Sequence, residues 1–252
     1  MESVVLPGAL RVVGRRAFAH CERLGSVCFG KGAQLEEVGL QAFLGCGLES
    51  FEAPRNLKKV GIMAFGGCRA LGSFKLNEGV RELAPFCFWM TRIAHFEVPP
   101  QTKTNRELLG LGQSESGVLR LPDGLGAVGD GWFARSDVER VVVSKNVKKI
   151  GDRAFFRCAR LREVVFEPDS HLESIGEKCF EWSWLKQICI PRSVRRIEER
   201  AFGNCGDLAQ LSFQSLSKLE HIGDKAFGGT KLTPEAIKYP SRLCKAEHKN
   251  EW

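Results

Sequence analysis

A nine-residue phrase recurs along this chain and constrains its fold more than any other feature. Val-Gly-Arg-Arg-Ala-Phe-Ala-His-Cys occupies 13–21, Val-Gly-Leu-Gln-Ala-Phe-Leu-Gly-Cys 38–46 and Val-Gly-Ile-Met-Ala-Phe-Gly-Gly-Cys 60–68. It returns as Ile-Gly-Asp-Arg-Ala-Phe-Phe-Arg-Cys at 150–158 and Ile-Glu-Glu-Arg-Ala-Phe-Gly-Asn-Cys at 197–205, with weaker copies around Phe88, Phe133, Phe180 and Phe227. A fixed period of roughly 20–50 residues marks a stacked array, in which each unit buries its apolar face only against its neighbours.

The steps between the phenylalanine anchors, from Phe18 to Phe227, are 25, 22, 23, 45, 22, 25, 22 and 25 residues. The step of 45 is two periods. It places one further copy with Leu111 as anchor, Gly110 in the Ala position and Ser114 in the Cys position, so about ten repeats of 22–25 residues are expected. Residues 1–232 read as one solenoid with a degenerate, looped-out repeat at 99–121, and 233–252 as a C-terminal cap or tail.

Each copy has two halves. After the Cys position comes a Leu-x-x-h-x-h run (h apolar), often closed by Pro, as at 48–54, 93–99 and 185–191. Its alternation is the period-2 signature of a strand with one buried face. The Ala-Phe-x-x-Cys half is too short for an ordinary helix and predicts a single helical or 3-10 turn. The fold class expected is therefore an α/β repeat solenoid with a continuous sheet of parallel strands on one side and short turns on the other, the strand ladder spanning roughly 45–50 Å at ~4.8 Å per strand.

The ten cysteines raise the question of disulfides or zinc. Five of them (Cys21, Cys46, Cys68, Cys158 and Cys205) fill the repeat's own Cys position, which elsewhere holds Thr91, Ser114, Ser136, Ser183 and Thr230. A position shared by Cys, Ser and Thr asks for a small side chain with a weak donor to a nearby carbonyl. No Cys-x-x-Cys pair is present, which speaks against a zinc ribbon or a redox motif. Unpaired thiols fit a reducing compartment, so a cytoplasmic location is expected.

The phrase running from Val147 through Ile150-Gly, Ala154-Phe155, Cys158 and Leu161 to Pro168 resembles the BspA-like, or Treponema pallidum type, leucine-rich repeats, as does 194–213. The resemblance covers roughly residues 3–232 and implies a curved leucine-rich-repeat solenoid, a horseshoe with its parallel strands on the concave face. Relatives of this type occur in bacteria and protist parasites, many as surface or secreted proteins tied to adhesion. A cell-surface adhesin contacting host or matrix components is thus the alternative reading, with a surface or secreted location if the N-terminus is incomplete. The first residues lack the basic start and apolar stretch of a secretory signal, and no apolar run reaches the ~18 residues of a membrane span.

The strand register places Ser3, Ser26, Ser50, Ser73, His95, Val118, Arg140, Glu163, Gln187 and Gln210 in one outward column. Val5, Cys28, Glu52, Lys75, Glu97, Arg120, Val142, Val165, Cys189 and Ser212 form the next. Within them, Val142, Val165 and Cys189 make an apolar stripe rimmed by Arg140, Glu163 and Gln187, the composition of a protein-binding patch. A non-enzymatic scaffold binding a protein of unknown identity through the concave face is the main expectation.

Lys58-Lys59, Lys148-Lys149 and Arg195-Arg196 share a second position across the array. Stacking predicts a basic ridge there, which a net charge of +7 would turn toward a polyanion. Glu36, Glu37 and Glu173 interrupt it and no stacking aromatics accompany it, so nucleic acid is not the expected partner. The five histidines fall in unrelated repeat positions and pair with no nucleophile or metal-ligand spacing. Neither an enzyme, a cofactor nor a metal is expected.

Overall fold

The computed structural model describes residues 2–77, 79–97 and 117–233. The chain winds as a solenoid whose strands are all parallel. Among the described residues ten strands line one side, the face that the resemblance expects to be concave: Glu2–Leu6, Leu24–Phe29, Ser50–Glu52, Ser73–Lys75, His95–Glu97, Val118–Arg120, Arg140–Val143, Glu163–Phe166, Gln187–Ile190 and Gln210–Phe213. Alternation sorts their side chains: along Gln187–Ile190 the residues run exposed, buried, exposed, buried. A second ladder of two-residue strands precedes the turns. It falls into two runs, from Val12–Val13 to Glu82–Leu83 and from Ala127–Val128 to His221–Ile222.

No helix is present among the described residues, so the solenoid is an all-β one and the expected helical or 3-10 turn is corrected. The cause lies in the backbone on either side of each anchor. The residues two before and two after every Phe have left-handed φ: Arg16 and His20 around Phe18, Arg153 and Arg157 around Phe155, Lys178 and Trp182 around Phe180. A right-handed turn cannot propagate through such residues.

Alternate amides consequently serve different partners. The N–H groups of Arg153, Phe155 and Arg157 donate to the carbonyls of Glu177, Cys179 and Glu181 in the next turn (2.8, 2.9 and 2.8 Å). Those of Phe156 and Cys158 close local turns onto Arg153 and Phe155. The rungs are thus tied by backbone bonds on the turn side as well as the strand side.

The core is a column of phenylalanine rings. Nine anchors stack face to face from Phe18 to Phe227, with centroids 5.2 Å apart between Phe18 and Phe43 and 5.4 Å apart between Phe155 and Phe180. From Phe43 onward each ring is buried. Phe51, Phe74 and Phe96 add a second row in the first half, and edge contacts such as Phe74–Phe88 at 4.6 Å lock the two rows together. Such pairs contribute about 0.5–1.5 kcal/mol each beyond simple burial.

Among the described residues there are nine rungs and ten concave strands, and the 45-residue step joins two consecutive rungs. The rings of Phe88 and Phe133 stack directly at 5.9 Å, and the Phe86 and Met90 amides reach the Asp130 and Ala134 carbonyls at 3.0 Å. No rung stands between them. The expected tenth anchor, Leu111, with Gly110 and Ser114, lies outside the described residues, as do 98–116 and 234–252. Trp132 packs into the joint against Phe88, Phe96 and Phe133.

The strand half of that repeat remains in the sheet, but its register slips. Arg120, not Val118, pairs with His95, a shift of two residues that corrects the His95–Val118 column. A two-residue slip keeps inward side chains inward, because strand side chains alternate with period 2.

Candidate protein-binding groove

The Cys position is a hydrogen-bonding position, as its Cys, Ser and Thr occupants imply. Cys46, Cys68, Cys158 and Cys205 each donate to the anchor carbonyl one rung back, on Phe18, Phe43, Phe133 and Phe180, at 2.9–3.2 Å. Thr91 and Thr230 donate instead to their own anchors, Phe88 and Phe227. All nine cysteines among the described residues are free, and six of them are buried. Burial pushes the Cys158 and Cys68 thiols up to about 12 and those of Cys46 and Cys205 to about 11. Nucleophilic chemistry from this column is thereby suppressed.

The six residues of the concave stripe come together, with unequal access. Arg140, Val142, Glu163 and Val165 sit on neighbouring strands, Arg140 opposite Glu163 and Val142 opposite Val165. Gln187 and Cys189 follow on the next strand and are exposed. Val142 retains only 7% of its surface, although the core cluster takes its neighbours Val141 and Val143 and not Val142 itself. Arg140 Nε lies 3.1 Å from Glu163 Oε2, an ion pair without an aligned hydrogen bond.

A groove of about 540 Å³ opens beyond that pair. Glu163, Val165, Gln187, Cys189, Gln210 and Ser212 line it. It lies where the concave ladder divides: Glu163–Phe166 closes a six-stranded sheet, whereas Gln187–Ile190 pairs only with Gln210–Phe213. The facing edges of Glu163–Phe166 and Gln187–Ile190 share no ladder hydrogen bonds. Pro191, at the end of the second of these strands, has no N–H to give. Gln210 and Ser212 were not among the predicted contacts, although the register had placed both in the two outward columns.

The basic ridge does not form as a ridge. The ladder sets acids beside the cations: Lys58 reaches Glu36 at 2.8 Å, Lys59 reaches Glu82 at 3.8 Å, and Arg11 also binds Glu36. Arg195 pairs with Glu220 and Arg196 with Glu198. Two cations around one carboxylate hold Glu36 down at about 2, the Lys58 hydrogen bond first and that of Arg11 second. Only Lys148 and Lys149 of the six stand without an ion pair among the described residues. Charges of alternating sign compensate one another at four of these positions, and Lys148 and Lys149 remain unpaired.

Among the described residues no cluster of three His, Cys, Asp or Glu side chains is placed to hold a metal, and no helix is long and apolar enough to cross a membrane. The family model for the BspA type leucine-rich repeat region matches residues 1–108 and 126–248. No curated protein matches the chain. Among solved structures it is similar to a leucine-rich cell-surface protein of Faecalibacterium prausnitzii (20% identity, TM-score 0.48, 87% of this chain and 63% of that one). It is also similar to the pneumococcal vaccine antigen PcpA (17%, TM-score 0.49, 94% and 72%). The leucine-rich repeat protein of T. pallidum is a third (22%, TM-score 0.41, 71% and 63%). The chain thus spans 63% of the length of the F. prausnitzii protein.

Proposed function

The chain belongs to the BspA-type leucine-rich-repeat family, and from that premise we propose that it is a non-enzymatic scaffold holding a protein partner in its concave groove. The observation that carries the reading is the groove at the divided ladder. There an apolar floor (Val165 with the flank of Cys189) is rimmed by Glu163, Gln187, Gln210 and Ser212. An apolar centre with polar, hydrogen-bonding edges is the anatomy of a protein interface. The wall is preformed by the stacked rungs, so docking orders few side chains and the entropic cost of association stays low.

Val165→Asp with Cys189→Asp places charge on the floor at two positions that are not core. Partner recovery in a pulldown should fall, while the far-ultraviolet spectrum and thermal midpoint hold. Val5→Asp, at the opposite end of the same face and 66% exposed in the wild type, should leave recovery unchanged. Full recovery with the double variant would remove the groove from consideration.

The same groove would serve a surface adhesin, and the F. prausnitzii similarity is to a cell-surface protein. Free thiols are the observation favouring the cytoplasm, but six are buried and would survive in either compartment. Fractionation of native cells, with surface biotinylation, separates the two readings.

A further inference from the structure

We propose that the convex turn of the Phe180 rung is a second binding surface, shaped for a protein partner that presents carboxylates among apolar side chains. It lies on the opposite side of the rung from the concave groove and rests on different residues.

Two indoles stand in water there, Trp182 at 48% and Trp184 at 53% exposure. Ser183 between them turns inward, its Oγ 3.2 Å from Cys205 Sγ, which leaves both indoles on the outer face. Trp182 holds φ at +63, a left-handed conformation that disfavours an L side chain by roughly 1–2 kcal/mol. The equivalent position elsewhere carries Gly45, Gly67, Asn204 or Gly229, and also His20, Met90, Arg135 and Arg157, all left-handed. The repeat imposes this conformation and does not require an indole for it.

Arginine completes the surface. The Arg157 guanidinium lies 5.3 Å from the Phe156 ring centroid and 5.9 Å from that of Trp182. Arg157 is exposed and makes no ion pair among the described residues, so its guanidinium is free to take a carboxylate. Arg135 occupies the same position one rung back, is exposed, and like Arg157 has no ion pair among the described residues. Of the acids nearby, Glu139 pairs with Arg160 and Asp207 with Lys231 at 2.7 Å, while the buried Glu181 accepts from the neutral Asn204 Nδ2 at 3.1 Å and offsets one of the two free arginines.

The uncompensated charge is therefore positive, so an acidic partner is complementary. A nucleic-acid strand is disfavoured, because Asp137 and Glu139 on one side and Asp207 on the other break the run of cations that a phosphate backbone needs. Trp and Arg are the side chains that most often dominate protein interfaces.

The test titrates the whole chain into a short fluorescein-labelled peptide of alternating Glu and Phe, followed by anisotropy. A Lys-Phe peptide and an oligo-dT serve as competing probes. The wild type should bind the acidic peptide and prefer it to both. Trp182→Gly with Trp184→Ala, and separately Arg157→Ala, should each weaken binding about tenfold or more. Trp182→Gly installs the residue other rungs carry, so the fold is kept. Val165→Asp should have no effect, which separates this surface from the concave groove. Absence of wild-type binding, equal binding of the Lys-Phe peptide or oligo-dT, or unchanged binding by the Trp variant would each overturn the proposal.

Discussion

The thiol of Cys158 donates to the carbonyl of Phe133, 25 residues earlier and one rung back, at 3.1 Å. At Cys46, Cys68, Cys158 and Cys205 the small residue after the anchor thus bolts its rung to the previous one. What the position requires is a donor of limited size. Cys158→Ser should stay within about 1 kcal/mol of wild type, since the hydroxyl can take over the bond. Cys158→Leu should cost about 1–3 kcal/mol by overpacking a fully buried site. Urea unfolding of both variants checks this, and a Ser variant as unstable as the Leu variant would refute the bolt.

The joint between the two halves of the array makes a sharper prediction. A Cβ at Gly131 would fall 2.2 Å from the Phe86 ring, on a backbone with φ of +62. Gly131→Ala should destabilise the chain by at least ~1–3 kcal/mol, the range for overpacking. At Gly126 a Cβ meets nothing within 4 Å, and the same substitution there should be close to neutral. Equal thermal midpoints for the two variants would show that the Phe88–Phe133 contact is not tightly packed.

Glu36 should give acid sensitivity of a defined sign. Lys58 and Arg11 depress its carboxyl from the ordinary 4.5 to about 2 in the folded chain. A lowered folded-state value contributes stability that is present above about 4.5 and lost as the pH falls toward 2. The stability curve of Glu36→Gln should therefore be flatter than that of the wild type across this window. Salt should shrink the difference, because the group is exposed. Parallel curves for the two proteins would exclude the linkage.

Thiol labelling reads the cysteine column directly. Cys21, Cys28 and Cys189 are exposed and should be alkylated in the native chain near neutral pH. Cys46, Cys68, Cys87, Cys158, Cys179 and Cys205 are buried, with thiols raised by burial, and should react only after unfolding. Peptide mapping after a native pulse distinguishes the two sets. Rapid labelling of Cys158 would mean that its rung opens far more readily than its packing implies.

Much of this was open to reading in one dimension. The anchors, the donor position and most of the concave register follow from repeats of 22–25 residues, since stacking makes equal positions neighbours. The left-handed turns had a visible trace as well, because Gly45, Gly67 and Gly229 recur two residues after Phe43, Phe65 and Phe227. Arg135, Arg157 and Trp182 at the same place concealed it, for local propensity does not mark those residues as left-handed. The 45-residue step was ambiguous in principle: two periods of sequence are compatible with a rung kept or a rung excluded.

The sequence by itself determined that this is a solenoid, which phenylalanines form its spine and which small residues bolt its turns, because those features repeat and repetition needs no long-range information. Only the tertiary structure decided the irregular features. It set Phe88 directly on Phe133, slipped Arg120 into register with His95, buried Val142 and paired Lys58 with Glu36. It also divided the ladder into a groove beside Cys189 and stood Arg157 against Trp182 on the far side. Each of these depends on which particular side chains meet across rungs, and contacts made once leave no period to read.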